Sequence, residues 1–452
     1  MNRNDNPLFE RLAGGYTPMT RRALLSGALG AAGSTALSAL LAEDALAAPP
    51  KSAVPAAKAM KLPAKAKRMI VLWQGGAPSH VDLFDHKPQL AAMRGQELPP
   101  SVRSKVRLST MTASAARHPI LPALKPFVPY GKSGTMLSPL LPNIGSIADK
   151  ICLVNSMTTD AVNHAPGVTL FLTGSQIPGR PSFGSWMVYG LGRMTEDLPS
   201  FVVMTSTDVG RTCGQLFFDY YWGSGFLPSE HQGTRFRSEG EPVLYLGNPD
   251  GVSSGVRRAT LDGIQAINRR HAAAKGDPEI SSRISQYETA FRMQTSVPDL
   301  LAVEKEPQHI LDMYGSDVHR PGSFARHCLL ARRLVERGTR FVQLMHSGWD
   351  QHGNLSTQLA EQCRDTDQPA AALVKDLEQR GLLDDTIVLW MSEFGRTVFG
   401  QGDINAAAGY GRDHLGSVYS IWAAGGGFKP GTVYGASDDF AYNVAKDPVH
   451  VH

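Results

Sequence analysis

Three short apolar runs, each releasing a group of polar residues at its carboxyl end, constrain this chain more than any other feature. They are RMIVLW at 68–73, RFVQLM at 340–345 and TIVLWM at 386–391. Each is rich in aliphatic and β-branched residues and lacks the alternation of a strand with one wet face. Each therefore reads as a strand buried on both faces of a parallel sheet. The residues that follow are GGAPSHVDLFD, HSGWDQHG and SEFGRT. Open α/β sheets bind ligands outside the carboxyl ends of their strands, so Asp82, Asp350, His352, Glu393 and Arg396 fall where a site belongs. His414, in GRDH after a Gly/Ala-rich loop, returns an imidazole toward the same edge. Carboxylates and imidazoles gathered there can hold a divalent metal. Residue types alone fit a surface Glu393–Arg396 ion pair and a loop histidine as well. Repetition of the pattern at three strand ends is what separates the readings.

Further strands are expected at 151–154, 201–204, 242–246 and 417–423, and helices at 324–337 and 358–380. This βα alternation predicts a doubly wound, mostly parallel sheet. Residues 257–305 read as a helical insertion, with Asp277-Pro278 between two helices, and 99–142 as an irregular excursion over the surface. NHAPG at 163–167 opens a helix that Thr173-Gly174 closes. His164 then stands at the positive end of that helix, placed to receive an anion. Asn163 as a simple cap fits at the same time. The loop YYWGSGFLP at 220–228 suits a substrate lining or a packed crossing.

The net charge of +4 over 452 residues, with no basic block interleaved with aromatics, argues against nucleic acid as a partner. The amino terminus carries TRRALL at 20–25, a small weakly apolar run to Leu41, and Ala45-Leu46-Ala47. That order predicts a twin-arginine signal over 1–47, cleaved after Ala47, then a flexible linker over 48–67 and one domain over 68–452. Glycine, serine and threonine make the run too polar for a stable membrane span. The expected location is periplasmic or secreted, with the Tat translocon as a partner during export. Cys152, Cys213, Cys328 and Cys363 have no C-x-x-C spacing and are expected to be buried thiols, with one disulfide left open.

Together, GGAPSHVDLFDHKP, NHAPG with LTG, YYWGSGFLPSEHQGTRF, GWDQHGN, and SEFGRT with GRDH resemble the Tat-exported family called domain of unknown function 1501. They span nearly the whole mature chain. That family lies near the alkaline phosphatase and sulfatase superfamily, so the resemblance implies its α/β fold and a metal-dependent hydrolase of phosphate or sulfate esters. It implies Asp82, Asp350, His352, Glu393 and His414 as ligands of zinc, calcium or magnesium. It puts His164 in the nucleophile's place; in such a hydrolase Arg396 is expected to clamp the oxyanion. The implied substrate is an anionic ester, a sulfated or phosphorylated carbohydrate among the candidates. Phe394 stands where the superfamily has a ligand, which implies one metal or a weaker second. The family continues past VHVH at 449–452, so a fragment lacking its C-terminal edge is expected. The competing expectation is an exported, non-catalytic binding or scaffold protein that retains the fold, and Phe394 and His164 favour it.

Overall fold

The computed structural model describes residues 65–206, 217–238, 241–243, 246–406 and 409–452. The expected signal, all but the last three residues of the expected linker, and Cys213 lie outside them. The strands are β1 (Arg68–Gly75), β2 (Val128–Tyr130), β3 (Thr135–Leu137), β4 (Ile151–Thr158), β5 (Phe201–Ser206), β6 (Thr234–Phe236), β7 (Phe341–Ser347), β8 (Thr386–Met391), β9 (Gly395–Gly402), β10 (Tyr410–Leu415), β11 (Tyr419–Ala424) and β12 (Thr432–Tyr434). The central sheet runs β12-β4-β11-β8-β1-β7-β5-β6, with Val449–His450 added beside β4. Within it only β11 is antiparallel to its neighbours. The three apolar runs are adjacent at its centre: Val71 lies opposite Gln343 on one side and Leu389 on the other.

Alternate residues of β1 feed two cores, as the period of a strand requires. Ile70 and Leu72 pack with Leu329, Leu334, Leu359 and Leu373. Met69, Val71 and Trp73 pack with Val168, Leu172 and Val188. Helices therefore cover both faces: α1 (His164–Thr173) and α2 (Phe183–Leu191) on one, α5 (Phe324–Glu336) and α6 (Leu355–Gln379) on the other, with α3 (Ser254–Lys275) and α4 (Pro278–Leu301) between them in sequence. Ser323 caps α5 by accepting from the Arg326 amide, and Gly338 at φ 92° turns the chain into β7. Asp277 caps α4 and Pro278 occupies its first turn, where a missing N–H costs nothing.

One local expectation is corrected. No strand forms at the described residues of 242–246; Pro242 has no N–H for a ladder, and Thr234–Phe236 takes the edge beside β5. SEFGRT runs into a further strand that was not anticipated. Gly395–Gly402 pairs with Tyr410–Leu415 as a hairpin outside the main sheet, in a register that sets Arg396 opposite His414. Cys152, Cys328 and Cys363 are buried and free. No helix among the described residues is long and apolar enough to cross a membrane.

Candidate metal centre

The strand ends are tied together at Gly76, the residue after β1. Its φ of 106° and the 2.5 Å that would separate a Cβ there from the Asp350 amide leave room for glycine alone. Its N–H donates to Oε1 of Glu393 at 2.8 Å, and its carbonyl accepts from the Arg396 guanidinium. One backbone turn thus fixes the residues that leave β1, β7 and β8 relative to one another.

Over this turn four side chains converge: His164 from the start of α1, Asp350 and His352 from the loop after β7, and His414 from β10. One ligand atom from each lies within 4.8 Å of all the others. Oδ1 of Asp350 is 2.8 Å from Nε2 of His352, 3.1 Å from Nε2 of His164 and 3.4 Å from Nε2 of His414. The Nε2 atoms of His352 and His414 are 3.0 Å apart. His414 is buried and the other three side chains are 13–21% exposed, so the cluster is open along one side. Phe394, fully buried, packs beneath it, 5.0 Å from the His164 ring and 4.7 Å from that of His414 between centroids.

The far nitrogens decide what the near ones offer. Nδ1 of His414 lies 2.8 Å from the Val162 carbonyl, Nδ1 of His352 2.7 Å from Oε1 of Gln401, and Nδ1 of His164 2.7 Å from Oε1 of Glu393. Each partner accepts, so in the neutral ring each Nδ1 carries the hydrogen and each Nε2 keeps its lone pair. Three lone pairs and a carboxylate oxygen then face one point. Nε2 of His164 is buried with no hydrogen-bond partner. A shared proton relieves one such contact, whereas a cation relieves all of them. The edges of a tetrahedron built on bonds of about 2.0–2.1 Å are roughly 3.3 Å, close to the four shorter separations here, while the cluster as a whole spans up to 4.8 Å. The residues fit a metal ion, with acceptors behind each imidazole that fix its orientation.

The charges agree. Burial pushes the Asp350 carboxyl up, yet the contacts of its Oδ1 with the His164, His352 and His414 rings and the nearby Arg396 outweigh it and hold the group well below the carboxylate range. Burial pulls His164 down, but Asp350 and Glu393 on either side overcome it and leave the pKa raised. Burial likewise opposes ionisation of Glu393, and its bonds with His164 and Ser392 keep it ionised. His414 is lowered by burial, with Arg396 adding to the effect against the bond to Asp350.

Several residues stand differently from the expectation. Nδ1 of His164 is bonded to Glu393, and its Nε2, with no hydrogen bond of its own, lies 3.1 Å from Oδ1 of Asp350, where a ligand would sit. Glu393 is fully buried behind His164, with Ser392 Oγ on its second oxygen at 2.7 Å. Asp82 is outside the cluster: its carboxylate forks the Arg412 guanidinium at 2.7 and 3.0 Å, because a buried Arg412 needs a counter-charge. Arg396 is 2% exposed and spends its donors on Asp350 and the carbonyls of Gly76, Ala77 and Arg412, so it clamps the protein and not a ligand. Sequence reading missed Gln401 and the Val162 carbonyl. A carbonyl carries no signal in residue type, and Gln401 is one amide among many. Ser109 and Thr112, in the irregular excursion, were missed too; their hydroxyls satisfy buried Asp413, beside His414.

A family model described as a protein of unknown function, DUF1501, matches residues 66–452. No curated protein matches the chain. Among solved structures, the chain is similar to the alkaline phosphatase of the Antarctic bacterium TAB5, at 10% identity over 84% of this chain and 96% of that one, with a TM-score of 0.32. It is similar to the PsFucS1 sulfatase of Pseudoalteromonas sp., at 14% identity over 84% and 66%, TM-score 0.31. A third is a protein in the alkaline phosphatase superfamily from Vibrio parahaemolyticus, at 10% identity over 84% and 68%, TM-score 0.34. Overlap and identity this low carry no weight for function.

Proposed function

The chain belongs to the DUF1501 family, and from that premise we propose that it is a metal-dependent hydrolase of phosphate or sulfate esters, exported by the twin-arginine route. The observation that carries the reading is the convergence of three imidazole lone pairs and the Asp350 carboxylate on one partly exposed point. His164, Asp350, His352 and His414 hold the ion. Glu393, Gln401 and the Val162 carbonyl hold the rings, and Arg396 holds Asp350. A bound ion supplies a Lewis acid for an ester oxygen. The positive end of α1 lies at the same point and favours an anionic group there. With His164 holding the ion, the attacking group in this reading is water: its oxygen bonds to phosphorus or sulfur as the ester oxygen leaves, and the leaving oxygen takes up a proton from that water. The choice of ester rests on the motif resemblance.

One observation favours a second reading. The guanidinium nearest the cluster is buried and saturated, which leaves little to stabilise charge on a reacting ester and suits a binding protein. Assay of metal-loaded, full-length protein against aryl and carbohydrate phosphates and sulfates separates the two. Turnover that disappears with a chelator and returns with metal supports the hydrolase. Full metal occupancy with no turnover on the panel leaves the binding protein.

A further inference from the structure

We infer that the centre is mononuclear and takes an imidazole-preferring ion of the zinc type, the further carboxylates that a second ion would need being held by the chain's own donors. The inference rests on the reading that the cluster binds metal, not on turnover. Two-metal sites set their ions about 3.5–4 Å apart and need further carboxylates to hold the second. The carboxylates of Asp82, Glu393 and Asp413, which follow β1, follow β8 and precede His414, are held by other donors of the chain. Asp82 receives both arms of Arg412, the Ser79 hydroxyl at 2.6 Å and the Leu124 amide at 3.0 Å. Glu393 receives the Gly76 amide, His164 and Ser392. Asp413 receives the hydroxyls of Ser109 and Thr112 and the His414 amide.

Arg412 cannot swing away to free Asp82. It is fully buried, and its other donors are on the carbonyls of Leu121, Pro122, Thr397 and Val398. Its backbone carbonyl accepts from Arg396, which in turn donates to Asp350. A fixed guanidinium therefore supplies positive charge to the carboxylate that follows β1. Among the described residues no second group of histidine, cysteine and acidic side chains brings three ligand atoms together.

The donor set argues the ion's type. Calcium takes six to eight oxygens and magnesium an octahedron of oxygens. This cluster offers three nitrogens and the oxygens of one carboxylate, which suits ions that prefer imidazole.

The test is metal analysis of full-length protein stripped with a chelator and titrated with Zn2+, Co2+, Ca2+ or Mg2+. One Zn2+ or Co2+ per chain is expected, with neither Ca2+ nor Mg2+ retained through desalting or able to displace them. The d–d absorption of bound Co2+ should change in His164→Ala. Glu393→Gln should weaken Zn2+ binding by about 10–100-fold, as loss of an outer-shell partner does. Asp82→Asn should leave the stoichiometry at one. Two ions per chain, retention of Ca2+ or Mg2+ in preference to Zn2+, or a Co2+ spectrum indifferent to His164→Ala would overturn the inference. A one-zinc protein without turnover keeps this inference and drops the hydrolase; a two-ion enzyme does the reverse.

Discussion

Replacing Asp82 with alanine should cost about 3–5 kcal/mol of folding stability, the price of leaving one member of a buried ion pair alone, and should leave the metal content unchanged. Arg412 is 0% exposed and Asp82 1%, so solvent cannot take over when the carboxylate is gone. Alanine also strands the Ser79 hydroxyl and the Leu124 amide, each of which donates to Asp82. A stranded buried donor adds about 1–3 kcal/mol. Against a total stability of about 5–15 kcal/mol, this is a large loss. Asp82→Asn, which keeps the shape and an acceptor, should fall between wild type and alanine. The measurement is urea unfolding of metal-free and metal-loaded protein, with metal content determined in parallel. An Asp82→Ala protein that unfolds at the wild-type midpoint but has lost its metal would refute this reasoning and restore Asp82 as a ligand.

His164→Ala separates ligand from nucleophile: as a ligand its loss lowers metal affinity first, whereas a nucleophile's loss leaves metal bound and removes turnover, and equilibrium dialysis with rate measurement decides. His414→Ala should empty the centre, seen as loss of stoichiometric metal. Metal should also reverse the pH dependence of stability. In metal-free protein the raised pKa of His164 gives stability that is complete below the unfolded value of about 6.5 and is lost as pH rises through the folded value. The ion needs that ring unprotonated, so metal-bound protein should gain stability over the same rise. Thermal midpoints of chelated and loaded protein that shift in the same direction between pH 6 and 9 would count against the cluster as a metal site. The exported form should begin at Ala48 and require Arg21 and Arg22, checked by N-terminal sequencing of periplasmic protein and of a double lysine variant.

Local sequence was sufficient for the frame. A strand buried on both faces must be apolar along its length, so 68–73, 340–345 and 386–391 declared themselves, and the helices at 324–337 and 358–380 followed from their spacing. The same logic placed Asp350, His352 and His414 at one edge, and the structure brings those three together. It could not sort the carboxylates. Asp82 and Arg412 are 330 positions apart, and nothing near Asp82 in the chain announces that a guanidinium will reach it before any metal. Nor could it pair His164 with Glu393, which lies 229 positions away, or bring Arg396 opposite His414, which needed a hairpin between them. Burial of a run is decided by the residues within it. Whether a carboxylate faces a cation, an arginine or an imidazole is decided by which side chains the sheet order and hairpin register carry to within about 3 Å of it, and that was settled only by the tertiary structure.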